Sequence, residues 1–242
     1  MRIALIGYGR MGHEIETQAL ARDHEIMHRI DKDDDLQSAD FSDTDVAIEF
    51  THPDTALANF EILSKKGVAT VTGTTGWFDE ISRVQDMVKK GGTGFLWSPN
   101  FSIGVNLFLR MIDQASKLMN AVPEYDVFAH EFHHNKKADS PSGTAVKMGN
   151  LLLKNIDRKK ELVSDKLDRA PEKHELHFSS TRGGNIPGTH AIFFDSPADT
   201  IELKHTARNR SSFALGAVMA AEWLKGKKGC FEMDDFLSDF LQ

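Results

Sequence analysis

Short apolar runs alternate with longer amphipathic segments along about the first hundred residues of the chain. The strand-like runs read RIALI, EIMHRI, DVAIEF, VATVTG and GFLWS. Apolar residues at helical spacing mark segments 12–22 and 53–66, and Ile81, Val84 and Val88 mark a third helix. Strands that alternate with helices predict a parallel sheet with helices on both faces, which is the Rossmann-type doubly wound arrangement of an α/β protein.

After Asn100 the pattern changes. A helix is predicted over 105–118, a half-buried strand over YDVFAHEFH, a second helix over about 142–155, and three strand-like runs between 175 and 207. This pattern predicts a second α+β domain built on a mixed sheet, at residues 103–208. The amphipathic SSFALGAVMAAEWLKGK would return the chain to the first domain, which we assign to residues 1–102 and 209–242. The charged segment DRKKELVSDKLDRAPEK is predicted to be a solvated, partly flexible connection.

Composition narrows the class of protein. The formal net charge is −7, and no basic stretch carries interleaved aromatic residues, which argues against nucleic acid as a partner. Cys230 is the single cysteine, so an internal disulfide and a cysteine-based zinc site are excluded. No apolar stretch approaches the roughly 20 residues of a membrane span. We therefore expect a soluble, cytoplasmic protein with no membrane partner.

A glycine-rich loop, GYGRMG, follows the first predicted strand and opens the first predicted helix. Its glycines, Gly7, Gly9 and Gly12, form a G-x-G-x-x-G pattern that allows a tight turn and close approach of the backbone to a pyrophosphate. An acidic residue about 20 positions further on is expected to accept the ribose hydroxyl, and Asp31 fits. The pattern predicts a dinucleotide cofactor, with a plain tight turn as the alternative.

The choice between NADH and NADPH stays open. Asp31 favours the free 2′-hydroxyl of NADH, whereas Arg10 and Lys32 could neutralise the 2′-phosphate of NADPH. Lys32 could equally be a solvated surface lysine. The loops after the fourth and fifth strands are expected to line the same crevice. The remaining predicted cofactor residues are Met11, Gly73, Thr74, Thr75, Gly76, Asn100 and Phe101.

The letters HEFHH match H-E-x-x-H, a zinc-protease motif that needs both histidines on one helical face, about 6 Å apart along the axis. Here the preceding residues alternate as a strand, on which positions four apart lie about 13 Å apart. His130 and His134 could then share one zinc ion only across a sharp bend. We therefore predict no metal site.

Alternatively, the segment from His133 to Thr144 could form a proton donor beside an anion site. His133 and His134 end the predicted strand, and a histidine can supply a proton near pH 7. Lys137 follows, and Ser142 is predicted to cap a helix whose first amides would face an anion. Those amides belong to Gly143 and Thr144. The residues alone leave open a surface histidine pair in front of a capped helix.

The stretch EFHHNKKADSPSGTA resembles the signature E-x-H-H-x-x-K-x-D-x-P-S-G-T-A of the dihydrodipicolinate reductase family, also called the 4-hydroxy-tetrahydrodipicolinate reductase family. Further segments match the family in its order along nearly the whole chain: GYGRMG, EFTHP, GTTGW, PNFSIGVN and GGNIPGTH. The resemblance implies a two-domain enzyme of lysine and diaminopimelate synthesis, usually a homotetramer assembled through its substrate-domain sheets. Such an enzyme transfers hydride from NADH or NADPH to a cyclic unsaturated imine dicarboxylate and gives tetrahydrodipicolinate.

The resemblance also implies roles for individual residues. His133 would be the acid/base residue, and Lys137 its partner and a substrate contact. The residues expected to hold substrate carboxylate are His134, Ser142, Gly143 and Thr144, and residues 73–76 with Phe101 would contact the nicotinamide side. Many members have G-x-x-G-x-x-G in the first loop, alanine where this chain has Ser140, and arginine in place of Lys32. Another NAD(P)-dependent oxidoreductase and a non-enzymatic dinucleotide sensor remain alternatives.

Overall fold

The computed structural model describes residues 1–240, which divide into two compact units. The first comprises Met1–Ile103 together with the C-terminal segment that begins at Arg210, and the second is Gly104–Asn209. The strands in chain order are β1 Arg2–Ile6, β2 Glu25–Ile30, β3 Val46–Glu49, β4 Ala69–Thr72, β5 Gly94–Trp97, β6 Asp126–His133, β7 Glu161–Val163, β8 Glu175–Arg182, β9 Gly188–Asp195, β10 Thr200–Ala207 and β11 Gly229–Glu232. The helices are α1 Arg10–Leu20, α2 Pro53–Lys65, α3 Ile81–Gly91, α4 Ile103–Asn120, α5 Gly143–Asn155, α6 Ser211–Leu224 and α7 Met233–Phe240.

The first unit is built on a parallel sheet in the order β11-β5-β4-β3-β1-β2. Strands β1 and β3 are apolar and buried along nearly their whole length, as expected for strands covered on both faces. The prediction of a doubly wound sheet is confirmed. The chain runs from β1 to β2 on one side and places β3 on the other, so the carboxyl ends of β1 and β3 form the topological switch point at which such sheets bind ligands.

The second unit is built on a mixed sheet in the order β10-β9-β6-β8-β7. Strand β6 runs parallel to β8 and antiparallel to β9, so the predicted mixed sheet is confirmed. Apolar residues of α4 and α5 form one core with the residues that alternate inward from the sheet, among them Val127, Phe178 and Phe194. The central strand β6 thus has one face against the helices and the other exposed, and its burial alternates accordingly.

The charged segment 157–173 is more ordered than predicted. It contains strand β7, and Lys159 is only 3% exposed, with its Nζ donating to the carbonyl of Glu175 at 2.7 Å. Arg169 forms an ion pair with the Glu175 carboxylate, and Arg158 donates to the carbonyl of Tyr125 at 2.6 Å. The prediction of a solvated connection was therefore wrong for Arg158, Lys159 and strand β7, whereas most of residues 164–173 are exposed.

Strand β11 and helix α7 were not predicted. Strand β11 has four residues at the edge of the first sheet, and none of them is fully buried. Helix α7 has eight residues, of which Met233, Phe236 and Leu237 join the core. Among residues 1–240, no helix combines the length and the apolar composition needed to cross a membrane.

Candidate active site

The glycine loop after β1 needs glycine at its first and last positions. Gly7 has φ +91°, and a Cβ there would lie 2.1 Å from the carbonyl oxygen of Phe50. A Cβ at Gly12 would lie 2.5 Å from the carbonyl oxygen of Gly7. Gly9 precedes the first residue of α1, and a Cβ on it would meet no atom within 4 Å. The loop is therefore closely packed against backbone at Gly7 and Gly12 and open at Gly9, as binding of a pyrophosphate at a helix N-terminus requires.

A cavity of about 500 Å³ opens beside this loop, at the carboxyl ends of β1, β2 and β3. Four predicted cofactor residues line it, namely Gly7, Gly9, Asp31 and Lys32. Residues that the sequence did not suggest complete the wall: Ile6, Ile30, Asp34, Leu36, Phe50, Thr51, His52, Thr55 and Asn59. The donor set, with a helix N-terminus beside an acidic residue at the end of β2, fits a dinucleotide.

The other predicted cofactor residues lie outside this cavity wall. Arg10, Met11 and Gly12 form the first turn of α1. Gly73, Thr74, Thr75 and Gly76 follow β4, and of these Thr74 is buried whereas Thr75 is exposed. Asn100 and Phe101 follow β5. The side chain of Phe101 is 1% exposed within the core, so any cofactor contact at that position would come from its backbone.

A buried carboxyl group joins the loops after β3 and β4. Glu49, at the end of β3, accepts hydrogen bonds from Thr51 Oγ1 and from Thr72 Oγ1. Thr74 Oγ1 in turn accepts the amide of Thr51 at 2.8 Å, and Thr72 Oγ1 accepts the amide of Thr74 at 3.2 Å. Burial raises the pKa of Glu49, and the hydroxyl hydrogen bonds offset this only in part. This network fixes the two loops relative to each other.

In the second unit, the H-E-x-x-H stretch does not form a zinc-protease site. His130 lies on strand β6 as predicted, and its ring nitrogens contact Ser179 Oγ at 2.6 Å and Thr181 Oγ1 at 3.2 Å. Glu131 and His133 alternate to the opposite, inward face of the same strand. His130 therefore belongs to the exposed face and takes no part in the cluster formed by its neighbours.

The inward-facing Glu131 carries the densest hydrogen-bond network of the second unit. Its Oε1 accepts the Ser142 amide at 2.9 Å, Ser180 Oγ at 2.8 Å and Arg182 Nη2 at 2.8 Å. Its Oε2 accepts Ser142 Oγ at 2.5 Å. Burial would raise the pKa of Glu131, but hydrogen bonds from His190, Ser142 and Arg182 outweigh it and hold the pKa well below the usual range. Glu131 is thus a charged carboxylate with no exposed surface.

His133 lies directly against this carboxylate. Its Nδ1 contacts the carbonyl oxygen of Pro187 at 3.1 Å and must carry a hydrogen, because a carbonyl only accepts. Its Nε2 lies 3.3 Å from Glu131 Oε2 and is buried without a hydrogen-bond partner. Burial lowers the pKa of His133, and the charge of Glu131 opposes that shift. Nε2 is therefore the nitrogen that changes protonation.

The predicted anion site begins at the N-terminus of α5. Ser142 caps the helix, as predicted, by accepting the amide of Ala145 at 3.1 Å. Both donors of Ser142, its amide and its hydroxyl, point to Glu131 and thereby hold the start of the helix, while its contact with substrate stays a prediction. Gly143 and Thr144 are the first two helical residues, whose amides a helix cannot satisfy internally. Lys137 Nζ pairs with Asp139 Oδ1 at 2.7 Å, and His134 is partly exposed where β6 ends.

A metal ion is another conceivable occupant of the inward cluster. The ligand atoms of Glu131, His133 and His190 lie within 4.8 Å of one another. However, Arg182 already neutralises the carboxylate, and Lys137 adds a second positive charge that faces His133. Since both cations oppose a divalent ion, we interpret the cluster as a hydrogen-bonded network.

Comparison with known proteins identifies the family. Residues 1–101 match the family described as "Dihydrodipicolinate reductase, N-terminus", and residues 104–237 match "Dihydrodipicolinate reductase, C-terminus". The chain belongs to the dihydrodipicolinate reductase family. A relative from Christiangramia forsetii, named 4-hydroxy-tetrahydrodipicolinate reductase, is 41% identical over 100% of both chains. A relative of the same name from Archaeoglobus fulgidus is 36% identical over 98% of this chain and all of its own.

A solved structure supports the fold of this family member. It is titled "Dipicolinate bound Dihydrodipicolinate reductase" and comes from Paenisporosarcina sp. TG-14. It aligns with a TM-score of 0.74 at 23% identity, covering 97% of this chain and 98% of its own. An amine dehydrogenase from Mycobacterium smegmatis aligns with a TM-score of 0.57 at 12% identity, over 95% and 93% of the two chains. The architecture is thus shared with other dehydrogenases.

The sequence interpretation assigned no role to several residues of this reductase-family site. Ser180, Arg182 and His190 lie on neighbouring strands, 48 to 51 residues from their partners Ser142 and Glu131. One signal was available, because Glu131 alternates in phase with Val127 and Ala129 and therefore had to face inward. A charged side chain on an inward face requires partners.

Proposed function

We propose that the protein is a 4-hydroxy-tetrahydrodipicolinate reductase. The observation that carries the proposal is the joint arrangement on β6 and α5, where a buried histidine–carboxylate pair lies beside a helix N-terminus and a lysine. Such a site suits a dicarboxylate that must accept a proton. Membership of the family supplies the reaction, which reduces a cyclic unsaturated imine. The single cysteine of the chain agrees with a cytoplasmic location.

The first unit would hold the cofactor. The amides at the start of α1 and the turn at Gly7 and Gly9 would bind the pyrophosphate, and Asp31 the adenosine ribose. The loop at residues 73–76 would contact the nicotinamide side, with the network around Glu49 keeping that loop in place. NADH or NADPH, when bound, supplies the hydride.

The second unit would hold the substrate and provide the proton. Lys137, His134 and the amides of Gly143 and Thr144 would bind carboxylate and orient the ring. Ser142 would contribute indirectly, by fixing the helix. Hydride addition to the conjugated imine leaves an enamine-like anion, and His133 would protonate it.

The direct test is oxidation of NADH and NADPH by the purified protein, with and without freshly generated 4-hydroxy-tetrahydrodipicolinate. We expect oxidation of the cofactor only when substrate is present. The loss of absorbance at the dihydronicotinamide band measures this oxidation. Oxidation with other imino or keto acids but not with this substrate would favour a different oxidoreductase. Cofactor binding without oxidation of any tested acid would favour a dinucleotide sensor.

Substitutions at His133 and Lys137 test the assigned roles. His133→Gln should lower kcat by about 100-fold or more with little change in KM, because a general acid acts in the transition state. Lys137→Ala should lower kcat and also raise KM about tenfold, because it removes a charged donor to the substrate. The controls are His174→Gln and Lys136→Ala, which change exposed residues of the same types. Near-normal rates in both site variants would refute the assignments.

The cofactor cavity favours NADH. Its wall contains Asp31, Lys32 and Asp34, and the adjoining Asp33 and Asp35 add two more carboxylates. Asp34 Oδ2 accepts the Asp31 amide at 2.9 Å, which holds this carboxylate at the end of β2. Residues 31–35 thus contain four carboxylates and one lysine, so a 2′-phosphate bound beside them would meet net negative charge.

We therefore expect NADPH to bind about tenfold more weakly than NADH, equivalent to about 1.4 kcal/mol. Asp34→Asn should reduce the ratio of the Kd of NADPH to that of NADH, because asparagine keeps an acceptor for the Asp31 amide but loses the charge. Higher salt should also reduce it, since these groups are exposed. Kd values from the fluorescence of the bound dihydronicotinamide measure the effect without turnover. Asp79→Asn, outside the cavity, is the control; tighter binding of NADPH to the unmodified protein would contradict the expectation.

The exposed face of the second sheet suits assembly of the chain with itself. Phe128 and Phe132 are 39% and 37% exposed on the central strand β6. The Phe128 ring stacks on that of Phe193, at 4.9 Å between centroids, and thereby forms an apolar area in the middle of the sheet. Apolar areas on a sheet face commonly mark interfaces. We propose that this face forms the homotetramer expected for the family.

Sedimentation analysis tests this assembly. The unmodified protein should sediment with four times the mass of one chain, and Phe128→Asp should sediment at a lower mass because a carboxylate would be buried in the interface. Leu118→Asp is the matched control, since Leu118 is an exposed apolar residue on α4 and not on the sheet. A monomeric unmodified protein, or an unchanged mass for Phe128→Asp, would exclude this interface.

A further inference from the structure

The Glu131 carboxylate connects two parts of the candidate site that lie on different elements. Through Oε1 it holds the amide of Ser142, the cap of α5, together with donors from β8. Because Oε1 has three donors, Ser142, Ser180 and Arg182, its position is fixed by β8 and α5 together. Displacement of Glu131 would therefore shift the helix N-terminus that presents the amides of Gly143 and Thr144.

Through Oε2 the same carboxylate faces two imidazoles. His133 Nε2 and His190 Nε2 each lie 3.3 Å from Oε2. His190 Nε2 also lies 3.2 Å from Ser142 Oγ, which is itself 2.5 Å from Oε2. The two rings are edge to face, with centroids 5.3 Å apart. A proton on His133 Nε2 would therefore lie close to an anionic oxygen, which favours the protonated ring through charge although the two atoms are not aligned for a hydrogen bond.

Charged and titratable groups approach His133 from each neighbouring element. Arg182 comes from β8, His190 from β9, and Lys137, paired with Asp139, from the segment after β6. His205 on β10 lies opposite His190 in the strand register. Arg182, Lys137 and His190 all disfavour a positive charge on His133, as does burial, whereas Glu131 favours it.

We propose that Glu131 is a positioning residue that couples proton donation to carboxylate binding, with one oxygen fixing the helix N-terminus and the other keeping His133 able to hold its proton. This proposal rests on the proposed function, because it concerns the same substrate and the same proton donor. It assigns to Glu131 no contact with the substrate.

The isosteric change Glu131→Gln separates charge from shape. The amide oxygen of glutamine should take the place of Oε1, because Ser142, Ser180 and Arg182 all donate there. Its NH2 group then takes the place of Oε2. The substitution therefore keeps the shape of the side chain and removes the charge that favours the protonated His133 ring.

We expect the pKa of His133 in Glu131→Gln to fall by about one to three units, the size of effect that an adjacent opposite charge produces. The sign follows from the loss of the anion, which had favoured the protonated ring. The basic limb of the kcat–pH profile should move to lower pH by the same amount. Titration of the His133 Cε1 proton by NMR, assigned with His133→Gln, measures the shift without turnover.

The substitution Glu131→Asp tests the other part of the proposal, that Glu131 fixes the N-terminus of α5. It retains the charge but is one CH2 shorter, so the carboxylate can no longer reach both the helix cap and the imidazoles. We expect a pH profile close to that of the unmodified protein, with at least a tenfold weaker affinity for dipicolinate, a stable planar dicarboxylate used as the probe. Glu175→Gln is the control for loss of a buried carboxylate, because Glu175 is paired with Arg169. It should alter neither readout.

If Glu131→Gln folds and the pKa of His133 is unchanged, Glu131 does not keep the proton on His133. If the affinity for dipicolinate is unchanged in Glu131→Asp, Glu131 does not position the N-terminus of α5 for carboxylate binding. Circular dichroism establishes folding. If Glu131→Gln does not fold, Arg182→Gln tests the charge instead. It removes a cation that disfavours the protonated ring and leaves the Glu131 charge less neutralised, so the pKa of His133 should rise, and a fall would refute the role of the Glu131 charge. If the unmodified protein oxidises no cofactor with substrate but these titrations behave as expected, the proposed function fails and the coupling stands.

Discussion

The buried carboxylate of Glu131 is the constraint on which the site of the second unit depends. A charge with no exposed surface is costly unless it is paired and hydrogen-bonded, and here the partners come from different elements. Ser180 and Arg182 are two positions apart on β8 and so share one face, while Ser142 caps α5. The registers of β6 and β8 and the start of α5 must therefore be correct together, or the carboxylate is left without partners.

The first unit uses a buried carboxyl group differently. Glu49 lies at the end of a strand that is covered on both faces, and its partners are the hydroxyls of Thr51 and Thr72. Within residues 1–240 no cation pairs with Glu49, so burial dominates and raises its pKa, whereas Arg182 and several donors keep the pKa of Glu131 low. Glu49 thus links two loops through hydroxyl hydrogen bonds, and Glu131 is a fixed negative charge beside a titrating ring.

The elements with strong periodicity could be predicted from the sequence, because burial on one or both faces leaves a period of two or an unbroken apolar run. Strand β11 was missed because it is short and only partly buried, and β7 because its neighbours are charged. The charges around β7 pair with groups distant in sequence, which a local pattern does not show. The glycine loop and the α5 cap were predictable because their chemistry is local. Arg182 and His190 enter the site only through strand pairing.

The placement of the His133 ring shows why such a site cannot be deduced from its own segment. Its Nδ1 is oriented by the carbonyl of Pro187, just before β9, and a Cβ at Gly188 would lie 2.8 Å from its Cε1. The ring thus lies against the first residue of a neighbouring strand, where a side chain would displace it. Because the carbonyl of Pro187 takes the Nδ1 hydrogen and Glu131 faces Nε2, the backbone of β9 selects the nitrogen that titrates. Pro187 and Gly188 therefore determine the placement of the proposed proton donor together with its own strand, β6.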